Sequence, residues 1–258
     1  MQRRQFLQTS ALAGMGIAAG CADDTPKQHY ITLSFDDGFK KSYIKVAELY
    51  EKYDLCACFN IIAGAHLPGF VGPDEYIAGY PLGNFTLWNE LQDRGHEVMP
   101  HGYRHANLAK LPIAEATDLI NRSLDMFSSK LKNFDPKRAI FNFPYNASSP
   151  ELCEWLDDRV LAYTTSGDNI NPLPQVGQKF LGRRGYGPDS SEPRLDAQIE
   201  DLLTRPTGWL VFNTHGLDGE GWGPIGSGYL DRLLARLIEI PTVKVIPAGV
   251  ALQDVTPA

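Results

Sequence analysis

The 258 residues (28.6 kDa) are 43% apolar, 21% charged and 10% aromatic, a mixture that excludes a disordered, collagen-like or disulfide-packed chain and suffices to bury a core. Lys and Arg number 24 against 31 Asp and Glu, so the net charge is −7 and the isoelectric point about 5.4. An acidic chain without a basic stripe cannot gather phosphates, which removes nucleic acid from the expected partners.

The chain opens with Arg3-Arg4-Gln5-Phe6-Leu7, continues as a Gly/Ala-rich apolar run to Gly20, and then reads Cys21-Ala22-Asp23-Asp24. A positive start, an apolar run of roughly 15 residues and small residues before a cut site are the layout of an export signal; spanning hydrocarbon takes ~20. Arg3-Arg4 ahead of Phe6-Leu7 resembles a twin-arginine signal, and Ala18-Ala19-Gly20-Cys21 resembles a bacterial lipobox with Ala at the usual Leu position. These resemblances imply that residues 1–20 are an export signal and that Cys21 is the lipidated mature terminus. The protein would then be exported to the cell envelope or periplasm, touching the membrane only through that anchor.

Beyond residue 28, short β-branched runs alternate with amphipathic stretches. Strands are expected at 30–35, 55–62, 96–99, 139–143, 161–165, 209–214 and 243–247, and helices at 42–53, 87–94, 113–131, 195–203 and 230–240. In the third helix, apolar residues at 113, 116, 120, 124, 127 and 131 keep helical spacing. Strand–helix alternation implies a parallel sheet, open or closed into a barrel, in one domain over residues 29–250. Stretches 64–86, 167–193 and 216–228 are Gly- and Pro-rich and follow strand ends, where α/β scaffolds carry binding loops. Cys56 and Cys58 lie two apart in a strand and read as buried small residues, not as a disulfide or metal pair.

Three polar clusters follow expected strands. Ser34-Phe35-Asp36-Asp37-Gly38 puts two adjacent carboxylates before a glycine turn, which can bring both to one site. His101-Gly102-Tyr103-Arg104-His105 puts two imidazoles four apart, able to share a metal, and Asn213-Thr214-His215 ends a strongly apolar run. One carboxylate and two imidazoles form a three-ligand set with an open position, as in catalytic zinc sites. A second carboxylate and a third histidine remain to act as base and acid, the parts of metal-assisted hydrolysis.

These clusters resemble the motifs of the polysaccharide deacetylase family (carbohydrate esterase family 4, the NodB-like domain). Ser34–Gly38 matches its Thr/Ser-Phe-Asp-Asp-Gly motif and His101–His105 its His-x-x-x-His motif. Gly95-His96-Glu97 resembles the lead-in to that strand, Phe143-Pro144-Tyr145 the Arg-x-Pro-Tyr motif, and His215 the final Leu-x-His motif. The resemblance implies a distorted (β/α) barrel of about seven parallel strands. It implies that Asp37, His101 and His105 hold a divalent metal, most often Zn2+. Asp36 would be the base toward the attacking water, the Tyr145 backbone N–H would stabilise the oxyanion, and His215 would protonate the leaving amine. The activity implied is removal of N-acetyl groups from an acetylated glycan with release of acetate. A carbohydrate O-acetyl esterase on the same site and a carbohydrate-binding pseudoenzyme are the alternatives.

The chain departs from the family pattern at four places. Asn142 stands where the motif has an Arg that braces the catalytic Asp, Asn213 where a Leu lines the acetyl pocket, and Gly102 where Ser or Thr follows the first histidine. The acidic motif that tunes the acid histidine is not evident, and Asp168 is the candidate substitute. Pro144 and Asn142 are expected beside the substrate, and Trp222, in a Gly-rich loop, is a candidate to stack on a sugar ring. Arg183 and Arg184 read as a solvated pair, with recognition of an anionic sugar or replacement of the missing brace as the alternatives.

Overall fold

The computed structural model describes residues 27–255; the export signal and Cys21 lie outside the described residues. The strand that organises the barrel is β1 (Gln28–Phe35), whose interior residues are nearly all sealed. β1 pairs in parallel with β8 (Thr207–Thr214) over all eight residues, from Gln28 opposite Thr207 to Phe35 opposite Thr214. Its other edge is shared by β2 (Cys58–Ile61), beside Ser34 and Phe35, and β9 (Val243–Val245), beside His29 to Ile31. β3 (Glu97–Pro100) extends the sheet from β2. A second parallel sheet has the order β4 (Ile140–Asn142), β5 (Ala162–Ser166), β7 (Phe180–Arg183). β6 (Ile170–Asn171) runs antiparallel to β8.

A single bridge, Arg184 to Phe212, ties the second sheet to β8. Between β3 and β4 there is no ladder, and side chains close the seam. The Ile140 N–H meets Met99 Sδ at 3.4 Å, Asn142 Nδ2 donates to the Pro100 carbonyl at 3.4 Å, and His101 Nδ1 to the Asn142 carbonyl at 2.9 Å. This open seam is the distortion of the barrel, and it sets His101 against β4.

The expected strands and helices are present, the helices as α1 (Lys40–Glu51), α2 (Phe85–Asp93), α3 (Ile113–Lys130), α5 (Ser191–Thr204) and α6 (Ser227–Ile238). α2 begins earlier than its apolar spacing suggests because Asn84 caps it, accepting from the Thr86 and Leu87 amides. α3 buries Ala116, Leu119, Ile120, Leu124 and Phe127, the face the spacing marked. Four elements were not foreseen: α4 (Pro150–Asp157), α7 (Ala248–Gln253), β6 and β7. β6, of two residues, and α7, of six, are too short for a periodicity to show. α4 is set by Ser149, which caps the Leu152 amide, and by Pro150 in its first turn. Cys58 is buried and Cys56 and Cys153 are partly exposed, all three unbridged.

Candidate active site

Register places the chemistry. Because Phe35 pairs with Thr214, the next residues, Asp36 and His215, leave neighbouring strands at one level. Because Ile61 pairs with Pro100, His101 leaves β3 beside them. All three stand at carboxyl ends of parallel strands, where such barrels gather function.

The β1 turn delivers both carboxylates. Asp37 adopts the left-handed φ of 80° and Gly38 a φ of 105°, so the chain reverses at once and Asp36 and Asp37 face the same interior. A Cβ on Gly38 would come to 3.2 Å of the Trp88 ring. His105 also sits at a left-handed φ, 55°, which folds it back onto His101 with ring centroids 5.0 Å apart. Gly102, between them, has φ 75°, and a Cβ there would meet Pro144 at 3.0 Å; this explains the missing Ser or Thr.

Asp37, His101 and His105 converge, with one ligand atom from each lying within 4.8 Å of the others. His101 Nε2 is 3.6 Å and His105 Nε2 3.4 Å from Asp37 Oδ1. Tetrahedral zinc with bonds near 2.0 Å separates its ligands by about 3.3 Å, so the set fits such an ion. Two further features agree. Asp37 Oδ1 is buried with no hydrogen-bond partner among the described residues. His101 Nδ1 faces a carbonyl, which can only accept, so its proton sits there and Nε2 keeps a free pair. Burial pushes His101 down to about 4 and His105 well below the usual imidazole range, keeping both neutral as ligation requires. Burial, then the neighbouring Asp36 and Asp74, push Asp37 well above the carboxylate range, so its charge calls for a cation.

Asp36 is held differently. Arg183 Nη1 donates to its Oδ1 at 3.1 Å, Nη2 lies 2.9 Å from Oδ2, and Asn60 Nδ2 donates to Oδ1 at 2.7 Å. Burial alone would raise this carboxyl, but Arg183, with His101, His215 and Asn60, outweighs it and brings it to about 2. The reading of Arg183 as solvated is therefore overturned: it is fully buried, while Arg184 remains exposed. Neighbours along a strand point to opposite faces, so the end of β7 sends the Arg183 guanidinium into the barrel and leaves Arg184 exposed on the wall of the cavity above it. Asn142 does not brace Asp36 directly. Its Nδ2 donates to Asn60 Oδ1 at 2.8 Å and its Oδ1 accepts from Thr164 at 2.7 Å, so it acts at one remove through Asn60.

A cavity of about 420 Å³ opens above these groups, lined by Asp36, Asp37, His101, His105, His215, Tyr145, Trp222 and residues of the surrounding loops. Asn142 and Pro144, expected at the substrate, are not in this lining; both are buried, Pro144 against Gly102. Tyr145 stands at φ 59°, 48% exposed, its ring 4.5 Å from that of His105. The turn around it is closed by the Asn146 and Ala147 amides, a pattern that does not use the Tyr145 N–H. Trp222 meets His215 edge-on at 5.7 Å, and Gly185 and Gly187 let its ring lie against the backbone. Burial lowers His215, and its Nδ1 has no aligned hydrogen-bond partner among the described residues, although the Trp222 main chain approaches. Asp168 does not reach it. That carboxylate is exposed, outside the cavity, and accepts from the Ile170 amide at 3.1 Å in a local turn.

Sequence reasoning missed Asn60, Asp74, Tyr76, Asn146 and Ser166. Asn60 carried a signal, being the one polar side chain in the strand Cys58–Ile61. Asp74 and Tyr76 came only as members of the Gly- and Pro-rich stretch 64–86, whereas Asn146 follows the Phe143-Pro144-Tyr145 motif and Ser166 ends β5, neither with a signal of its own.

Comparison with known structures supports the fold. PdaC of Bacillus subtilis, a peptidoglycan deacetylase, superposes with TM-score 0.54 at 16% identity, covering 90% of this chain and 93% of that one. The "putative polysaccharide deacetylase" of Mycobacterium smegmatis gives 0.67 at 12% identity, covering 91% and 92%. PuuE allantoinase gives 0.66 at 9% identity, covering 88% and 90%. No curated protein sequence matches the chain. The sequence model described as "Polysaccharide deacetylase" matches residues 23–161, more than half of the chain. The chain belongs to the polysaccharide deacetylase family.

Proposed function

We propose that the protein is a metal-dependent hydrolase that removes N-acetyl groups from an envelope or extracellular glycan, releasing acetate. The observation that carries this reading is the unpartnered Asp37 oxygen facing two neutral imidazoles, next to an Asp36 kept ionised by Arg183. Asp37, His101 and His105 would hold the divalent ion, Zn2+, which would supply Lewis acidity toward the acyl oxygen and the attacking water. Asp36 accepts a proton from that water, its orientation fixed by Arg183 and Asn60. The Tyr145 N–H donates to the developing oxyanion. His215 returns a proton to the departing amine nitrogen, and Trp222 forms a wall against which a sugar ring can pack. Water and acetamide are thereby converted to acetate and a free amine. Export and a lipid anchor on Cys21 would set this chemistry in the cell envelope.

The test is acetate release by the purified chain from N-acetylglucosamine oligosaccharides and from O-acetylated xylan, with and without a chelator. Chelator-sensitive release from the first substrate is expected, with a ~10²–10⁴-fold loss in Asp36→Asn at unchanged metal content. Release only from the ester would make it an O-acetyl esterase, and glycan binding without release a pseudoenzyme. His101→Ala should lose the metal.

A further inference from the structure

Metal-ligating histidines are oriented through their second nitrogen, and the two histidines here differ in that respect. His101 is complete, its Nδ1 donating to the Asn142 carbonyl. His105 is not: its Nδ1 is buried and has no hydrogen-bond partner among the described residues. The acceptor beside it is Asp74, whose Oδ2 lies 4.0 Å away.

Asp74 is presented to that nitrogen by its own loop. Its Oδ1 accepts from the Tyr76 and Ile77 amides at 3.1 and 3.2 Å, which fixes the carboxylate plane and leaves Oδ2 toward the cavity. Ile77 is buried in the core, pinning the loop from below. At either end the loop is tied to the site turns, through the Gly64 amide to the Tyr103 carbonyl and the Gly83 amide to the Gly38 carbonyl, both 2.9 Å. Tyr145 completes the group: its hydroxyl lies 3.4 Å from Asp74 Oδ2 while its ring covers His105. Carboxylate, phenol and imidazole thus meet at one point.

We propose that Asp74 is the positioning residue of the metal site, accepting a hydrogen bond from His105 Nδ1–H so that Nε2 presents its free pair beside Asp37 and His101. The inference rests on the metal reading given above. A carboxylate there selects one tautomer, fixes the ring plane and makes the imidazole a stronger donor. Closing 4.0 Å to hydrogen-bond distance requires a shift of about 1 Å, within reach of a side chain on a loop.

The experiment is a Zn2+ titration of the full, metal-stripped chain against a chromophoric chelator, comparing the wild type, Asp74→Asn and His101→Ala. Asp74→Asn keeps an oxygen for the Tyr76 and Ile77 amides but turns an NH2 toward His105. Zinc should bind it about 10–100-fold more weakly. Nitrogen-15 spectra of the metal-free chain supply a second readout: His105 should carry its proton on Nδ1 in the wild type and lose that preference in Asp74→Asn. Affinity within threefold of the wild type, or an unchanged tautomer, overturns the role of Asp74. A wild type that takes up no zinc overturns the metal reading itself, and with it this inference.

Discussion

Two buried carboxylates stand at opposite ends of the barrel and behave in opposite ways. Asp36, at the carboxyl end, is brought down to about 2, whereas Glu97, at the amino end, is pushed up to about 7. Burial acts on both in the same direction. The difference is the company. Glu97 receives the Cys58 thiol at 3.1 Å and the Val250 amide at 3.2 Å, neutral donors that do not repay desolvation. Asp36 receives the Arg183 guanidinium as well as an amide. One arginine from β7 thus separates a carboxyl that idles near neutrality from a carboxylate that is ionised at neutral pH and can serve as a base.

Removing that arginine is the largest test. Arg183→Met should leave Asp36 buried without a counter-charge and cost about 3–5 kcal/mol of stability. The folded Asp36 lies below its unfolded value, so the pair stabilises the fold above pH 3.8 and loses this contribution as the pH falls toward 2. Denaturant unfolding at pH 7 measures the effect, with Arg184→Met as its exposed counterpart, expected within about 0.5 kcal/mol of the wild type. Equal midpoints for the two variants would remove Arg183 from the argument.

Glu97 tests the other side. Its folded value, about 7, lies above the ordinary 4.5, so the folded chain binds more protons and stability should fall as the pH rises between these values. The full difference is on the order of 3 kcal/mol. Glu97→Gln has no charge to bury. It should match the wild type near pH 4.5 and exceed it above pH 7, with a flatter stability profile in thermal melts. A variant that is less stable at pH 8 would mean that the ionised carboxylate is wanted there.

The same contrast explains what was legible in the sequence. Asp36, Asp37, His101 and His105 come from two short turns, so local spacing carried their convergence, and the left-handed φ of Asp37 and His105 only executed it. Arg183 reaches Asp36 through the register of β7 on β5, with Ser166 opposite, and through the bridge of Arg184 to Phe212. Neither pairing leaves a trace in the neighbouring residues, and β7 is four residues long. Asp74 is hidden for a related reason, since a loop rather than a periodic element carries it to His105. The seven expected strands were legible from their β-branched and apolar runs; the inward turn of Arg183, the first arginine of the pair, was not.

Asn142 should have a smaller effect on the base than Arg183, because it reaches Asp36 only through Asn60. Asn142→Ala removes its bonds to Asn60 and Thr164, leaving two buried polar groups without this partner at about 1–3 kcal/mol each before any rearrangement. Asp36 keeps Arg183, so activity should fall much less than in Asp36→Asn. A rate loss as large as that of Asp36→Asn would show that orientation through Asn60, and not the guanidinium, controls the base.

The smallest effect is expected at Asp168. Its carboxylate accepts the Ile170 amide in an exposed turn outside the cavity. Among the carboxylates that act on His215, Asp36 and Asp74 line the same cavity and favour its protonated form, against the opposing pull of burial. A group that tunes an acid histidine must sit where its field is unscreened, and an exposed carboxylate in a surface turn is not there. Asp168→Ala should therefore stay within about 0.5 kcal/mol of the wild type in unfolding. It should also leave the basic limb of the pH–rate profile in place. Removing a carboxylate that supports a protonated imidazole lowers the imidazole's pKa, so a basic limb displaced toward lower pH in Asp168→Ala is the outcome that would return the tuning role to this residue. The same shift in Asp74→Asn, with Asp168→Ala unmoved, would instead place that support on the cavity wall, next to the imidazoles it faces.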